Sequence, residues 1–222
     1  MPPSLTKRII YISGIGADGR AFSKLDIEGG CEHVYVEWIP FEKSESLDSY
    51  CLRLIEAYSI GPEDALVGVS FGGLLSQKIS TLLGNQKVVV LSSFRSKKDL
   101  RILWNYCLRL RLHFLFPPFR IPFISVLVTV SLNARSLESR QTTTAMLKNS
   151  DFKFIRWALQ KIAKADLKDV FSENYLVLNG DRDILVKNWQ VQNATTIRGG
   201  SHFMVFDHAA QISPIIQRYL QD

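Results

Sequence analysis

Asp64-Ala65-Leu66-Val67-Gly68-Val69-Ser70-Phe71-Gly72-Gly73-Leu74-Leu75-Ser76-Gln77-Lys78-Ile79 is the stretch on which the reading of this chain turns. Asp64-Ala65-Leu66-Val67 reads as a buried strand, and Gly73 to Ile79 reads as a helix. Between them, Gly68-Val69-Ser70-Phe71-Gly72 has the form G-x-S-x-G. In a strand-turn-helix context that pattern is a nucleophile elbow, a sharp turn that pushes one serine hydroxyl out of the backbone. Glycine flanks the serine because strand and helix approach closely there, and a Cβ at either position would collide. The bare five-residue pattern is common by chance, so its flanks and its downstream partners carry the weight.

Those partners follow in the order serine, acid, histidine. Asn174 to Gly180 reads as a core strand that runs into Asp181-Arg182-Asp183-Ile184-Leu185-Val186. Ala194 to Arg198 reads as the next strand and runs into Gly199-Gly200-Ser201-His202. Each candidate thus lies just past the carboxyl end of a strand, where the ligand crevices of open α/β sheets form. Upstream, Arg8 to Ile12, His33 to Trp38 and Lys87 to Ser93 read as further strands, and Ser46 to Ser59 as an amphipathic helix. The elbow helix runs to about Leu83, where Gly84-Asn85 stops it. Strands alternating with helices predict an α/β fold with a mostly parallel sheet and helices on both faces.

At 222 residues the chain suits one domain with a sizeable core, and 46% hydrophobic against 22% charged residues is a globular balance. Met1 to Arg8 leads straight into a strand without a long apolar run and small-residue cleavage site, so no signal peptide is expected. Cys31, Cys51 and Cys107 are odd in number and scattered, which fits a reducing compartment; the cytoplasm is the expected location. The net charge of +6 raises the question of nucleic acid. Much of the excess is local, carried by Arg95, Lys97, Lys98, Arg101, Arg109, Arg111 and Arg120, with no nucleic-acid-binding motif beside it. A solvated helix face accounts for it, and no nucleic-acid partner is expected.

From Phe94 to about Asp169 the alternation of strands and helices breaks. This stretch holds Leu100 to Leu108, a Pro-interrupted apolar run, and two helical patterns, the last over Asp151 to Ile162 with an Asp cap. Leu112 to Leu132 is largely apolar, but Arg120, Pro117, Pro118 and Pro122 interrupt it. The clean part, Ile121 to Leu132, is too short to cross a bilayer. Peripheral membrane contact through this basic, apolar region is the mode left open.

The residue types suit nucleophilic catalysis. Ser70 needs a base within hydrogen-bond reach. His202 can take its proton and return it to a leaving group. An acid must orient the imidazole, and the chain offers Asp181 and Asp183, both just past Gly180. Glu173 precedes its strand and is poorly placed; so are His33, before a strand, and His113, in the inserted stretch. His208 reads better as the start of the final helix. Charge developing on a carbonyl oxygen also needs preorganised donors, one being the backbone N–H of Phe71 and the other from the loop Ser13 to Arg20. Gly14-x-Gly16-x-x-Gly19 in that loop imitates a dinucleotide fingerprint. No acidic residue closes the next strand as that site requires, Glu37 falling before Trp38, so no nucleotide cofactor is expected.

With the elbow, its two strand-end partners and their order, the chain resembles the α/β-hydrolase superfamily over roughly residues 8–93 and 171–222. The resemblance implies one α/β-hydrolase domain over residues 1–222, with a core of 1–93 and 170–222 and a helical lid inserted at 94–169. The family pattern Gly-x-x-Asp, followed by an apolar residue, matches Gly180-Asp181-Arg182-Asp183-Ile184 and makes Asp183 the acid. Asp181 then has a structural role, capping the loop or pairing with Arg182. The loop Ser13 to Arg20 stands where the family has His-Gly-x, with Ser13 replacing the histidine. Ile15 would supply the second oxyanion N–H, with Gly16 as the alternative. Larger members begin with an extra hairpin, for which this chain starts too close to the oxyanion loop.

The implied chemistry is a serine hydrolase that cleaves an ester, thioester or related acyl bond in a small-molecule acyl substrate. It would use Ser70, His202 and Asp183, with neither metal nor organic cofactor. Acyl transfer, amide cleavage or perhydrolysis on the same triad, and a non-catalytic small-molecule binder on the same fold, are the alternatives. Trp104, Tyr106, Phe114, Phe116 and Trp157 could line an acyl pocket, although packing of lid helices on the core accounts for any single one. Chain length of the acyl group and oligomeric state are not written in any motif.

Overall fold

The computed structural model describes residues 7–85, 87–96, 98–102, 134, 136–165, 167, 174–188 and 194–222. Six strands are described: β1 (Arg8–Ile12), β2 (Glu32–Val36), β3 (Ala65–Val69), β4 (Val88–Leu91), β5 (Leu176–Gly180) and β6 (Ala194–Ile197). They form one sheet in the order β2-β1-β3-β4-β5-β6, and every pairing is parallel. Strands β3, β4 and β5 are buried along their whole length, as the unbroken apolar sequences of β3 and β4 require of parallel strands covered on both faces. The edge strands are shorter of cover: Glu32 and His33 of β2 and Thr195 and Thr196 of β6 are exposed.

Side chains alternate across the sheet and divide the core in two. Ile10, Ile12, Leu66, Val88, Val90 and Val177 face one layer, built from α1 (Leu47–Tyr58), α2 (Phe71–Leu83) and α4 (Phe152–Lys164). Ile9, Tyr11, Ala65, Val67, Val89 and Leu91 face the other, which contains α5 (Met204–Asp207), α6 (Ala209–Gln221) and the 3-10 turn Gly19–Phe22. Met146 of α3 (Leu137–Lys148) joins that second layer. The helices start where their caps say they should. Ser46 accepts the Ser49 N–H and Asp151 the Lys153 N–H, while α2 ends at Gly84 with φ 79°.

Two boundaries and one segment differ from expectation for physical reasons. Strand β2 stops at Val36 because its partner β1 ends there, at the pair Ile12 and Val36, and this releases Trp38 from the sheet. Helix α2 begins at Phe71 rather than Gly73 because Ser70 alone makes the turn. The basic run after β4 is not a solvated helix face in its described part. Leu100 pairs antiparallel with Val186, and the Arg101 N–H donates to the Leu185 carbonyl, so the backbone there is spent on pairing with the segment after β5.

Helices α3 and α4 lie between β4 and β5 in sequence, within the stretch expected to form a lid. Trp157 of α4 is a core residue: its ring packs 4.7 Å from Tyr50, 5.5 Å from Phe41 and 5.5 Å from Phe154, centroid to centroid. Trp104, Tyr106, Phe114, Phe116 and the apolar run Leu112 to Leu132 lie outside the described residues. Among the described residues no helix is long and apolar enough to cross a membrane.

The tightest junction of the fold is the crossing of α2 over β1 and β3. A Cβ on Gly72 would stand 1.9 Å from the Ile12 carbonyl oxygen and 2.3 Å from that of Ser13. One on Gly68 would stand 2.4 Å from Ser76 Oγ. Backbone oxygens cannot step aside as a flexible side chain can, so Gly72→Ala is expected to destabilise by about 3 kcal/mol or more. A fall in Tm of roughly 10 °C in thermal unfolding followed by circular dichroism is the expected result.

Candidate active site

Ser70 sits alone between β3 and α2 with φ 55° and ψ −119°. That conformation costs a residue with a Cβ about 1–3 kcal/mol and persists only where the surroundings over-determine it. Here they do. The Ser70 N–H donates to the Leu91 carbonyl of β4 at 2.9 Å. Its own carbonyl accepts from the Leu74 N–H at 3.2 Å and from Ser93 Oγ at 2.6 Å. Val69 and Phe71 are buried on either side, whereas Ser70 remains partly accessible. The strain is thus spent on turning one hydroxyl outward.

His202 reaches this hydroxyl from beyond the end of β6, and Asp183, from beyond the end of β5, reaches His202. Strand β6 ends at Ile197, and Gly199-Gly200-Ser201 returns the chain toward the sheet, leaving His202 only 3% exposed. Its Nε2 lies 2.9 Å from Ser70 Oγ and its Nδ1 2.8 Å from Asp183 Oδ2. The other carboxylate oxygen of Asp183, Oδ1, accepts the N–H groups of Leu185 at 2.8 Å and Val186 at 3.1 Å. With Asp183 accepting throughout, Nδ1 carries the ring proton and Nε2 is left to accept from the Ser70 hydroxyl.

Of the two acids left open by position alone, Asp183 is the one against the imidazole. Asp181 is exposed and its Oδ1 accepts the Gly199 N–H at 2.7 Å, bracing the loop after β5 against the loop after β6. That is a loop cap; among the described residues Asp181 forms no ion pair with Arg182. His208 is the residue before α6, and His33 bonds to the Tyr11 hydroxyl at 3.0 Å, away from Ser70. His113 and Glu173 lie outside the described residues.

The loop after β1 runs beside the serine: a Cβ on Gly14 would stand 3.7 Å from Ser70 Oγ. The Ala17 N–H donates to the Gly14 carbonyl at 3.1 Å, closing the loop as a turn. Among the described residues the N–H groups of Ile15 and Gly16 have no acceptor. Phe71 is the first residue of α2, where backbone N–H groups have no intrahelical partner. Donors therefore stand on both sides of Ser70. Ser13, in the position where a histidine was the family pattern, donates its hydroxyl to the Ala17 carbonyl at 2.9 Å.

Three contacts around the site had no sequence signal of their own. Trp38, read as the end of a strand, donates its indole N–H to the same Ala17 carbonyl at 3.0 Å. Arg101, read as one charge in a basic run, donates through Nε to the Asp183 carbonyl at 2.9 Å. Ser93 holds the Ser70 carbonyl from the end of β4. Each depends on which strand lies beside which, and spacing along the chain does not carry that. Among the described residues no group of three or more His, Cys, Asp or Glu is placed to hold a metal ion.

No family model and no curated protein sequence matches the chain. Solved structures do. A bromoperoxidase from Bacillus anthracis superposes with a TM-score of 0.76 at 17% identity, over 97% of this chain and 92% of that one. A hydrolase from Oleispira antarctica does so at 0.74 and 13% identity, covering 97% and 91%. The enol-lactonase from Burkholderia xenovorans LB400 gives 0.73 and 13% identity, again over 97% and 91%. Likeness over nearly the full length of both chains, on a parallel sheet with the elbow at the end of β3, establishes the architecture: the chain has the α/β-hydrolase fold.

Proposed function

We propose that this protein is a serine hydrolase that cleaves an ester, thioester or related acyl bond in a small-molecule substrate through an acyl-enzyme. The observation that carries the reading is the unbroken relay from Ser70 Oγ through His202 to Asp183, with links of 2.9 Å and 2.8 Å. A serine hydroxyl is a poor nucleophile until a base takes its proton as it attacks. His202 Nε2 is at hydrogen-bond distance for that transfer, which supplies about 10²- to 10⁴-fold. Asp183 holds the ring in the required tautomer and stabilises the imidazolium formed.

Attack forms a bond from Ser70 Oγ to the carbonyl carbon and moves an electron pair onto the carbonyl oxygen. The Phe71 N–H and the Ile15 N–H are the donors assigned to that oxygen, with Gly16 as the alternative to Ile15. The imidazolium then protonates the leaving group as its bond to carbon breaks. Water, deprotonated by the same Nε2, attacks the acyl-enzyme and releases the acid. The solved structure named hydrolase supports hydrolysis on this fold and the enol-lactonase supports acyl chemistry on it, and the residues 94–169 between β4 and β5 would form the lid over the site.

Reaction with a fluorophosphonate probe, followed by peptide mass spectrometry, tests the reading. Labelling is expected on the Ser70 peptide and is expected to vanish in Ser70→Ala; a well-folded protein that stays unlabelled would sink the proposal. The acid assignment is separable by turnover of short p-nitrophenyl esters. Asp183→Asn is expected to lower kcat by roughly 10³- to 10⁴-fold, because an amide can present its N–H to the ring and favour the wrong tautomer. Asp181→Asn keeps an oxygen to accept the Gly199 N–H and is expected to stay within about threefold of wild type. The opposite ranking would transfer the role to Asp181.

A further inference from the structure

An oxyanion site made of two backbone N–H groups works only if their spacing is fixed before charge develops. Here the two lie on different elements, Phe71 on α2 and Ile15 on the loop after β1. The α2 side is rigid, being tied to β1, β3 and β4 as described above. The loop side is Gly14-Ile15-Gly16, with Gly16 at φ 74°, and it is closed within itself by the Ala17 to Gly14 backbone bond and by Ser13 Oγ on the Ala17 carbonyl. Gly14 packs on Ser70 and Gly72 on the Ser13 carbonyl, which anchors the start of the loop; a contact reaching both Ala17 and Phe71 would fix its far end as well.

Trp38 touches both sides. Its indole N–H donates to the Ala17 carbonyl at 3.0 Å, and its ring packs 5.8 Å from the Phe71 ring at an interplanar angle of 42°. Behind it the ring packs 4.8 Å from Phe154 of α4, which itself contacts Phe71 at 6.4 Å. The indole is therefore backed by a helix, not left to swing. The Ala17 carbonyl takes a second donor, Ser13 Oγ at 2.9 Å, so both lone pairs of one oxygen are used to pin the loop.

We infer that Trp38 is a positioning residue for the oxyanion site, setting the loop that bears Ile15 against the helix that begins at Phe71. The inference rests on the hydrolase reading. Trp38 does not touch the reacting atoms; it acts through the Ala17 carbonyl on one side and the Phe71 ring on the other. Ser13 is its partner on the shared acceptor.

The test compares wild type, Trp38→Phe, Ser13→Ala and the double variant by the kinetics of fluorophosphonate labelling and by Tm. In that reaction Ser70 Oγ bonds to phosphorus, the P–F bond breaks, fluoride leaves and the proton passes to His202 Nε2. The phosphonyl oxygen occupies the place of the acyl oxyanion. Trp38→Phe keeps an aromatic ring and removes the N–H. Its kinact is expected to fall about tenfold, with KI within about twofold, at a temperature well below the Tm of every variant. The double variant is expected to lose more than the product of the two single losses, because each donor alone still holds the carbonyl in part and only the double variant frees it. An unchanged kinact in both Trp38→Phe and the double variant overturns the inference. So does a raised KI at constant kinact, which would make Trp38 a wall of the binding site. Absence of Ser70 labelling in the wild type would instead overturn the hydrolase reading beneath it, which keeps the two failures apart.

Discussion

The backbone of α2 crosses the end of β1 so closely that Gly72 has no room for a side chain beside the Ile12 carbonyl. Much of the rest of the molecule answers to that contact. It brings the amino end of α2 to the carboxyl edge of the sheet, and it requires the chain to reverse within one residue after β3. Ser70 takes the cost of that reversal as a positive φ. Bonds from β4, through Leu91 and Ser93, hold it there. A strained residue whose own N–H and carbonyl are both hydrogen-bonded cannot relax without breaking several hydrogen bonds at once, and this is how the fold stores a serine in an outward pose.

The same edge collects the other groups because the sheet is parallel. Every described strand ends on one side, so the loops after β1, β3, β5 and β6 converge there. Asp183 is not held by the imidazole alone. Two backbone N–H groups grip one carboxylate oxygen, Arg101 grips its carbonyl, and Leu100 pairs with Val186 just beyond. The acid is therefore fixed before the histidine meets it. Asp181, two residues earlier, is used to tie the neighbouring loop instead. Two chemically equal side chains thus receive different work from the direction in which each leaves the turn.

The fold was legible in the residues because its signals are local. Unbroken apolar runs such as Ala65 to Val69 and Val88 to Leu91 can satisfy only a strand covered on both faces. Ser46, Asp151 and Gly84 punctuate helices by chemistry that acts within one turn. A boundary that depends on a neighbour carries no local signal: β2 ends at Val36 because β1 ends opposite it, and no residue in β2 announces that. The described part of the basic run after β4 departs from a solvated helix face for the same reason. Arg101 looks like a solvated charge until Asp183 is found beside it, 82 positions away in sequence.

By itself the sequence determined the alternation of strands and helices, the elbow serine and the order in which acid and histidine follow. These are properties of composition and spacing within a few residues of each candidate. Spacing alone left two aspartates open and only a family resemblance chose between them; the tertiary structure puts Asp183 against His202, and it alone decided that Trp38 and Ser13 share the Ala17 carbonyl. It also decided that Trp157 fills the core beside Tyr50 and Phe154. Those outcomes depend on which strand ends lie side by side and which way each side chain leaves the backbone. A hydrogen bond reaches about 3 Å, and whether two groups come within it is set by packing across the sheet rather than by their distance along the chain.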